Sequence, residues 1–239
     1  MKSSLSDIKA ISFDVDGTLW DFEDALARGL EAALREVRLI DPEGTEGLTV
    51  DHLDQAWMVE RDRQWGTITD LVKLRHDAMR RAFADIDTPN KDLANRATDA
   101  YLEERNRNSR PFADVVPGLE ALHGMYTLGT LTNGSMRPER LGLEKYFDFI
   151  VMSVEHGGIE KPDPRIFEIA VREARCELHE LLHVGDHIEY DVRGANDAGV
   201  RSVWLNRNGE SSVDGVKPDL EVTSLRELTD ALLSVTTRT

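Results

Sequence analysis

Short apolar runs that end in turn-forming residues recur along the chain, and between them lie segments whose apolar positions repeat every three or four residues. The first run, Ile8 to Phe13, stops at Asp14-Val15-Asp16-Gly17-Thr18, the pattern of a strand followed by a turn. The same grammar returns at Tyr126 to Leu131 before Thr132-Asn133-Gly134, at Phe149 to Met152, at Leu181 to Val184 before Gly185-Asp186, and at Val200 to Leu205. Asp163-Pro164 opens a helical stretch carrying Ile166, Ala170 and Ala174, and Ser224 with Glu227 makes a capping box ahead of Leu225, Leu228 and Leu232. Strands alternating with helices predict an α/β fold built on a doubly wound parallel sheet.

From Trp20 to Pro111 the alternation stops and helical stripes replace it, first Leu26, Leu30, Leu34 and Val37, then Ile68, Leu71, Leu74 and Ala78. This predicts an all-helical cap domain over 20–111, inserted into a catalytic core formed by 1–19 and 112–239, with hinges in the loops at Asp41 to Gly47 and Arg107 to Pro117. Arg61, Arg63, Trp65, Lys73 and Arg75 in the cap are read either as an ordinary charged helix face or as contacts to a small bound molecule.

Composition narrows the partners. With 45 acidic and 29 basic residues the formal charge is −16 over 239 residues, which disfavours non-specific attraction to nucleic acid or anionic membrane. A small diffusible substrate is expected instead, and an anionic one needs local positive charge that a bound cation would supply. Cys176, the single cysteine, has no internal disulfide partner and reads as an inert structural thiol in a reducing cytoplasm. No signal-peptide stretch or membrane-spanning segment is read in the sequence, and a monomer or homodimer is expected.

Ligands of open α/β sheets bind beyond the carboxyl ends of the strands. There the sequence puts Asp14, Asp16, Thr132, Lys161, Asp186 and Asp191, an inventory suited to phosphoryl transfer. Asp14 is placed to attack phosphorus as a carboxylate nucleophile. Asp16, two positions on and facing the same side, is placed to protonate the departing alkoxide and later to deprotonate water. Carboxylate attack on a phosphate dianion opposes two charge pairs at about 4 kcal/mol each. Oxygen ligands from Asp14, the Asp16 backbone carbonyl and Asp186 suit Mg²⁺, which would offset most of that repulsion. Thr132 and Lys161 would hold the remaining phosphoryl oxygens.

In their order, Asp14-Val15-Asp16-Gly17-Thr18, Leu131-Thr132-Asn133, Lys161-Pro162 and Gly185-Asp186-His187-Ile188-Glu189-Tyr190-Asp191 resemble the haloacid dehalogenase-like superfamily along the whole chain. The resemblance implies a Rossmann-like core with a helical cap after the first motif. It also implies Asp14 as nucleophile, Asp16 as acid and base, and Thr132, Asn133 and Lys161 at the substrate phosphate. Asp186 would then be a metal ligand, and Asp191 would order Lys161 or metal-bound water. The dehalogenase branch lacks the second aspartate, so Asp16 points to phosphate chemistry. The expectation is a Mg²⁺-dependent phosphatase acting on a nucleotide, sugar phosphate or phosphoglycolate type of monoester. A phosphotransferase or mutase is the alternative, followed by a haloacid dehalogenase or a non-catalytic phospho-receiver.

Asp191 serves equally well as a helix cap. His183, Asp186 and His187 suggest a transition-metal cluster, but strand alternation is expected to separate His183 from a site at the strand end, and His187 reads as packed or solvated.

Overall fold

The computed structural model describes residues 5–64, 70–84, 86, 92–213 and 215–236, and the chain divides into two compact units, Met1–Asp21 with Arg110–Thr239 and Phe22–Ser109. Among the described residues no helix is long and apolar enough to cross a membrane.

The first unit is built on six parallel strands, β1 (Ala10–Phe13), β2 (Thr127–Thr132), β3 (Phe149–Met152), β4 (Leu181–Gly185), β5 (Arg201–Leu205) and β6 (Leu220–Val222). Their spatial order is β3-β2-β1-β4-β5-β6. β1 is central and buried at every position, with Ala10, Ile11 and Phe13 inaccessible to solvent. Such continuous burial explains why its sequence reads as an unbroken apolar run, as expected of parallel strands covered on both faces.

Ile166, Phe167, Ile169 and Ala170 of the helix Pro164–Ala174 pack with Leu131, Phe149, Val151 and Leu181 into one core cluster. Each fully buried Leu, Ile or Phe there contributes about 1.5–3 kcal/mol. That helix starts at Asp163, whose side chain accepts from the N–H of Arg165. The last helix, Leu225–Thr236, begins with Ser224 accepting from Glu227 N–H while Glu227 accepts from Thr223 N–H, a capping box offset by one residue from the reciprocal form.

Among its described residues the second unit has four helices, Phe22–Ile40, Val50–Arg63, Leu71–Ala82 and Leu93–Asn108. Leu30, Leu34, Val37, Leu53, Met79, Ala97 and Tyr101 share its core, with Leu26 packed at the margin. Asp70 starts the third helix by accepting from Val72 and Lys73 N–H, and Leu74 and Ala78 point inward as their spacing predicts. Ile68 and Trp65 lie outside the described residues. The charged positions divide: Arg63 and Arg81 pair with Glu60, Lys73 pairs with Asp77, and Arg75 is buried with its guanidinium 3.7 Å from the Trp57 ring and 4.4 Å from that of Tyr101. The stretch expected as a loop at 107–117 is shorter than anticipated. Arg107 continues the fourth helix and Pro117 sits in a helix over Val115–Leu122, because Pro is compatible with a first turn whose N–H groups lack intrahelical partners.

Candidate active site

The strand order reverses between β1 and β4, the switch point where an open parallel sheet offers a crevice beyond its carboxyl ends. Asp14 stands there as the continuation of β1, its backbone N–H donating to Val184 O at 2.8 Å. Its carboxylate is buried, and Lys161 Nζ donates to its Oδ1 at 2.6 Å.

Lys161 is the hub. Only 2% exposed, it also donates to Asp191 Oδ1 at 2.6 Å. Its backbone is bracketed by the Asn133 amide, since Lys161 N–H donates to Asn133 Oδ1 at 2.8 Å and Asn133 Nδ2 donates to Lys161 O at 3.0 Å. Asn133 therefore meets the site through Lys161. Thr132, at the end of β2 and almost fully buried, accepts from Gly134 N–H at 2.9 Å through its hydroxyl oxygen, which fixes the turn after the strand.

On the other flank, Asp186 Oδ1 accepts from the Thr18 hydroxyl at 2.8 Å, and its backbone carbonyl accepts from Trp204 Nε1 at 2.8 Å. Gly17 has φ +85°, and a Cβ there would overlap the Asp186 carboxylate, so glycine is required on both counts. Asp16, part-buried, lies beside Gly134, and its Oδ1 accepts from Trp20 Nε1 at 2.7 Å.

Asp191 sits in a π-helical turn, Ile188–Arg193, a geometry often found at functional sites. Its Oδ2 accepts from His187 N–H at 2.9 Å, and its Oδ1 accepts from His183 Nε2 at 3.1 Å as well as from Lys161. A Cβ at Gly185 would overlap this carboxylate. The capping role considered for Asp191 falls instead to His187, whose Nδ1 accepts from Glu189 and Tyr190 N–H. The expectation that His183 is remote also fails. Asp191 folds back over Gly185 to meet its Nε2, and the missed signal was the presence of a second buried polar residue, Ser12, beside it in register on β1.

Three carboxylates, Asp14, Asp186 and Asp191, bring an oxygen each to within 4.8 Å of one another, against the single ammonium of Lys161. With all three ionised, two negative charges would be in excess. Burial, with Lys161 opposing and Asp191 and Asp186 adding, pushes Asp14 well above the ordinary carboxylate range. Burial and the neighbouring Asp191 push Asp186 to about 7. Asp191 is held below the usual range because Lys161 and His183 outweigh its burial, and the two carboxylates raise Lys161. Hard oxygen donors with uncompensated charge are what a divalent cation such as Mg²⁺ requires. With the Asp191 oxygens already taking three donors, Asp14 and Asp186 are the carboxylates that fit it.

The haloacid dehalogenase-like hydrolase profile matches residues 8–199. The chain is 34% identical to a glyceraldehyde 3-phosphate phosphatase of Methanopyrus kandleri, over 94% of this chain and 97% of that protein. It is 27% identical to a 5-amino-6-(5-phospho-D-ribitylamino)uracil phosphatase of Escherichia coli, over 95% and 98%. Among solved structures, a 2-haloacid dehalogenase from Pseudomonas syringae superposes with a TM-score of 0.78 at 33% identity, covering 95% of this chain and 99% of that one.

Proposed function

The chain belongs to the haloacid dehalogenase-like hydrolase family, and from that premise we propose that it is a magnesium-dependent phosphatase that hydrolyses a small phosphate monoester through a phospho-aspartate on Asp14. The observation that carries the reading is the presence of two carboxylates with different surroundings on one strand extension. Asp14 is buried against Lys161, whereas Asp16 is part-buried and held by the Trp20 indole.

An Asp14 oxygen attacks phosphorus while the bond to the leaving oxygen breaks, and Asp16 delivers a proton to that oxygen, releasing a neutral alcohol. Water then attacks phosphorus, Asp16 accepts its proton, and the Asp14–phosphorus linkage breaks to give inorganic phosphate and the original carboxylate. Lys161 opposes the burial that favours a protonated Asp14 and, with Thr132, holds the phosphoryl oxygens; Asn133 fixes the backbone of Lys161. Asp14, Asp186 and the Asp16 carbonyl would hold Mg²⁺, which when bound supplies the positive charge that opposes repulsion between nucleophile and dianion. Residues 20–111 form the cap of this reading and choose the leaving group. The net charge of −16 and the lone cysteine support a cytoplasmic enzyme, monomeric or homodimeric, for a small phosphorylated metabolite and not for nucleic acid or membrane.

The likeness to a 2-haloacid dehalogenase favours a second reading, attack of Asp14 on carbon with loss of halide. Halide needs no proton on leaving, so that chemistry gives Asp16 no task. The test is phosphate release from glyceraldehyde 3-phosphate, nucleotides, phosphoglycolate and an aryl phosphate, with Mg²⁺ and with a chelator, beside halide release from 2-chloropropionate. Mg²⁺-dependent phosphate release supports the proposal. Halide release without phosphate release overturns it.

A further inference from the structure

Ser12 and His183 are direct neighbours across β1 and β4, and both are inaccessible to solvent. A buried polar pair in the centre of a parallel sheet costs stability unless every group is hydrogen-bonded, and here every group is. Ser12 Oγ lies 2.9 Å from His183 Nδ1, and His183 Nε2 lies 3.1 Å from Asp191 Oδ1. The ionised Asp191 can only accept, so Nε2 carries the proton and donates. Nδ1 is then the acceptor, and the Ser12 hydroxyl donates to it. Burial, the largest influence on His183, favours the same neutral ring. The Phe167 and His183 rings pack nearly perpendicular, at 83° with centroids 5.3 Å apart, which restrains the imidazole plane.

We propose that His183 is a positioning residue: pinned by Ser12 as the Nε2–H tautomer, it fixes the Asp191 carboxylate and, through it, the ammonium of Lys161 against Asp14. The proposal rests on the roles given above to Lys161 and Asp14. Its logic is geometric. Lys161 Nζ and His183 Nε2 share one oxygen of Asp191, while His187 N–H holds the other. Without His183 the shared oxygen keeps Lys161 as its one donor, so the Asp191 carboxylate is fixed less tightly and the direction it gives the lysine is less well defined. A misplacement on the order of 1 Å at a reacting group costs about 100-fold in rate.

The experiment compares His183→Phe, which keeps the ring's shape without the donor, and His183→Gln, whose amide reaches the Nε2 position, using an aryl phosphate with Mg²⁺. His183→Phe is expected to lower kcat by about 10-fold to 100-fold, and His183→Gln to recover most of the loss. In an Asp191→Asn background the same substitution should add nothing further, since coupled residues are non-additive. Equal losses in both backgrounds, or no recovery by glutamine, would overturn the proposal by making His183 a packing residue. Should His183→Phe fail to fold, the wild-type protein still decides: two-dimensional nitrogen NMR must show the neutral Nε2–H tautomer, and an Nδ1–H or doubly protonated ring would overturn the inference. Wild type inactive on every phosphate ester would sink the function proposed above, whereas active wild type matched by His183→Phe would sink only this inference.

Discussion

Asp186 makes the stability of the metal-free protein depend on pH in a direction opposite to that of most carboxylates. Its ordinary value is 3.8, and burial and Asp191 push it to about 7 in the folded state. Between those values the folded protein holds a proton that the unfolded chain has released. The stabilisation is fully present below about pH 4 and is lost as the pH rises through 7. At about 1.4 kcal/mol for each tenfold difference in acidity, the whole loss is about 4 kcal/mol. The part falling between about pH 5 and about pH 8 is about 3 kcal/mol, or roughly 5–10 °C in melting temperature for a chain of this size. The assay is thermal melting of chelator-treated wild type and Asp186→Asn across that interval, repeated with excess Mg²⁺. Wild type should lose that much more than the variant, and Mg²⁺ should abolish the difference by favouring the ionised carboxylates. Identical pH slopes for the two proteins, or a slope indifferent to Mg²⁺, would refute the reasoning.

Gly185→Ala should leave the fold intact by circular dichroism yet lower kcat more than tenfold, because its Cβ occupies the place of the Asp191 carboxylate; unchanged turnover would mean that Asp191 moves without consequence. Asp16→Ala should slow alkyl phosphates by at least about 100-fold but aryl phosphates much less, since a phenolate leaves without a proton; equal losses would remove Asp16 as the acid. Cys176, half-buried with its thiol pushed up to about 11 by burial and by Glu180 and Glu177, should react with a disulfide reagent at pH 8 far more slowly in the folded protein than in urea. Equal rates would contradict the inert role.

The sheet was legible because each strand is a short apolar run that stops where the chain turns. Phe149 to Met152 is the strand as expected, and the other four strands read from the sequence differ by one or two residues at their ends. Asp14, Thr132, Lys161 and Asp186 could be gathered from sequence because a parallel sheet collects its strand ends on one edge. What escaped were contacts made by side-chain reach. Alternation along β4 assigns His183 a face but says nothing of what folds back onto that face, and so it could not reveal the bond to Asp191. Spacing likewise does not announce a π-helical turn, and it is this turn that brings Asp191 back onto Gly185 and leaves the capping to His187. The Asn133 side chain was expected at the phosphate; its two bonds to the Lys161 backbone depend on residues 28 positions apart meeting across β2.

The central claim is that Asp14 carries the phosphoryl group. Single-turnover reaction with a phosphate ester and Mg²⁺, quenched in acid and reduced with borohydride, converts a phosphorylated aspartate to homoserine, which is read by the mass of the peptide containing residue 14. The account predicts homoserine at Asp14 in wild type and neither label nor turnover in Asp14→Asn. Full-rate phosphate release by Asp14→Asn would contradict it.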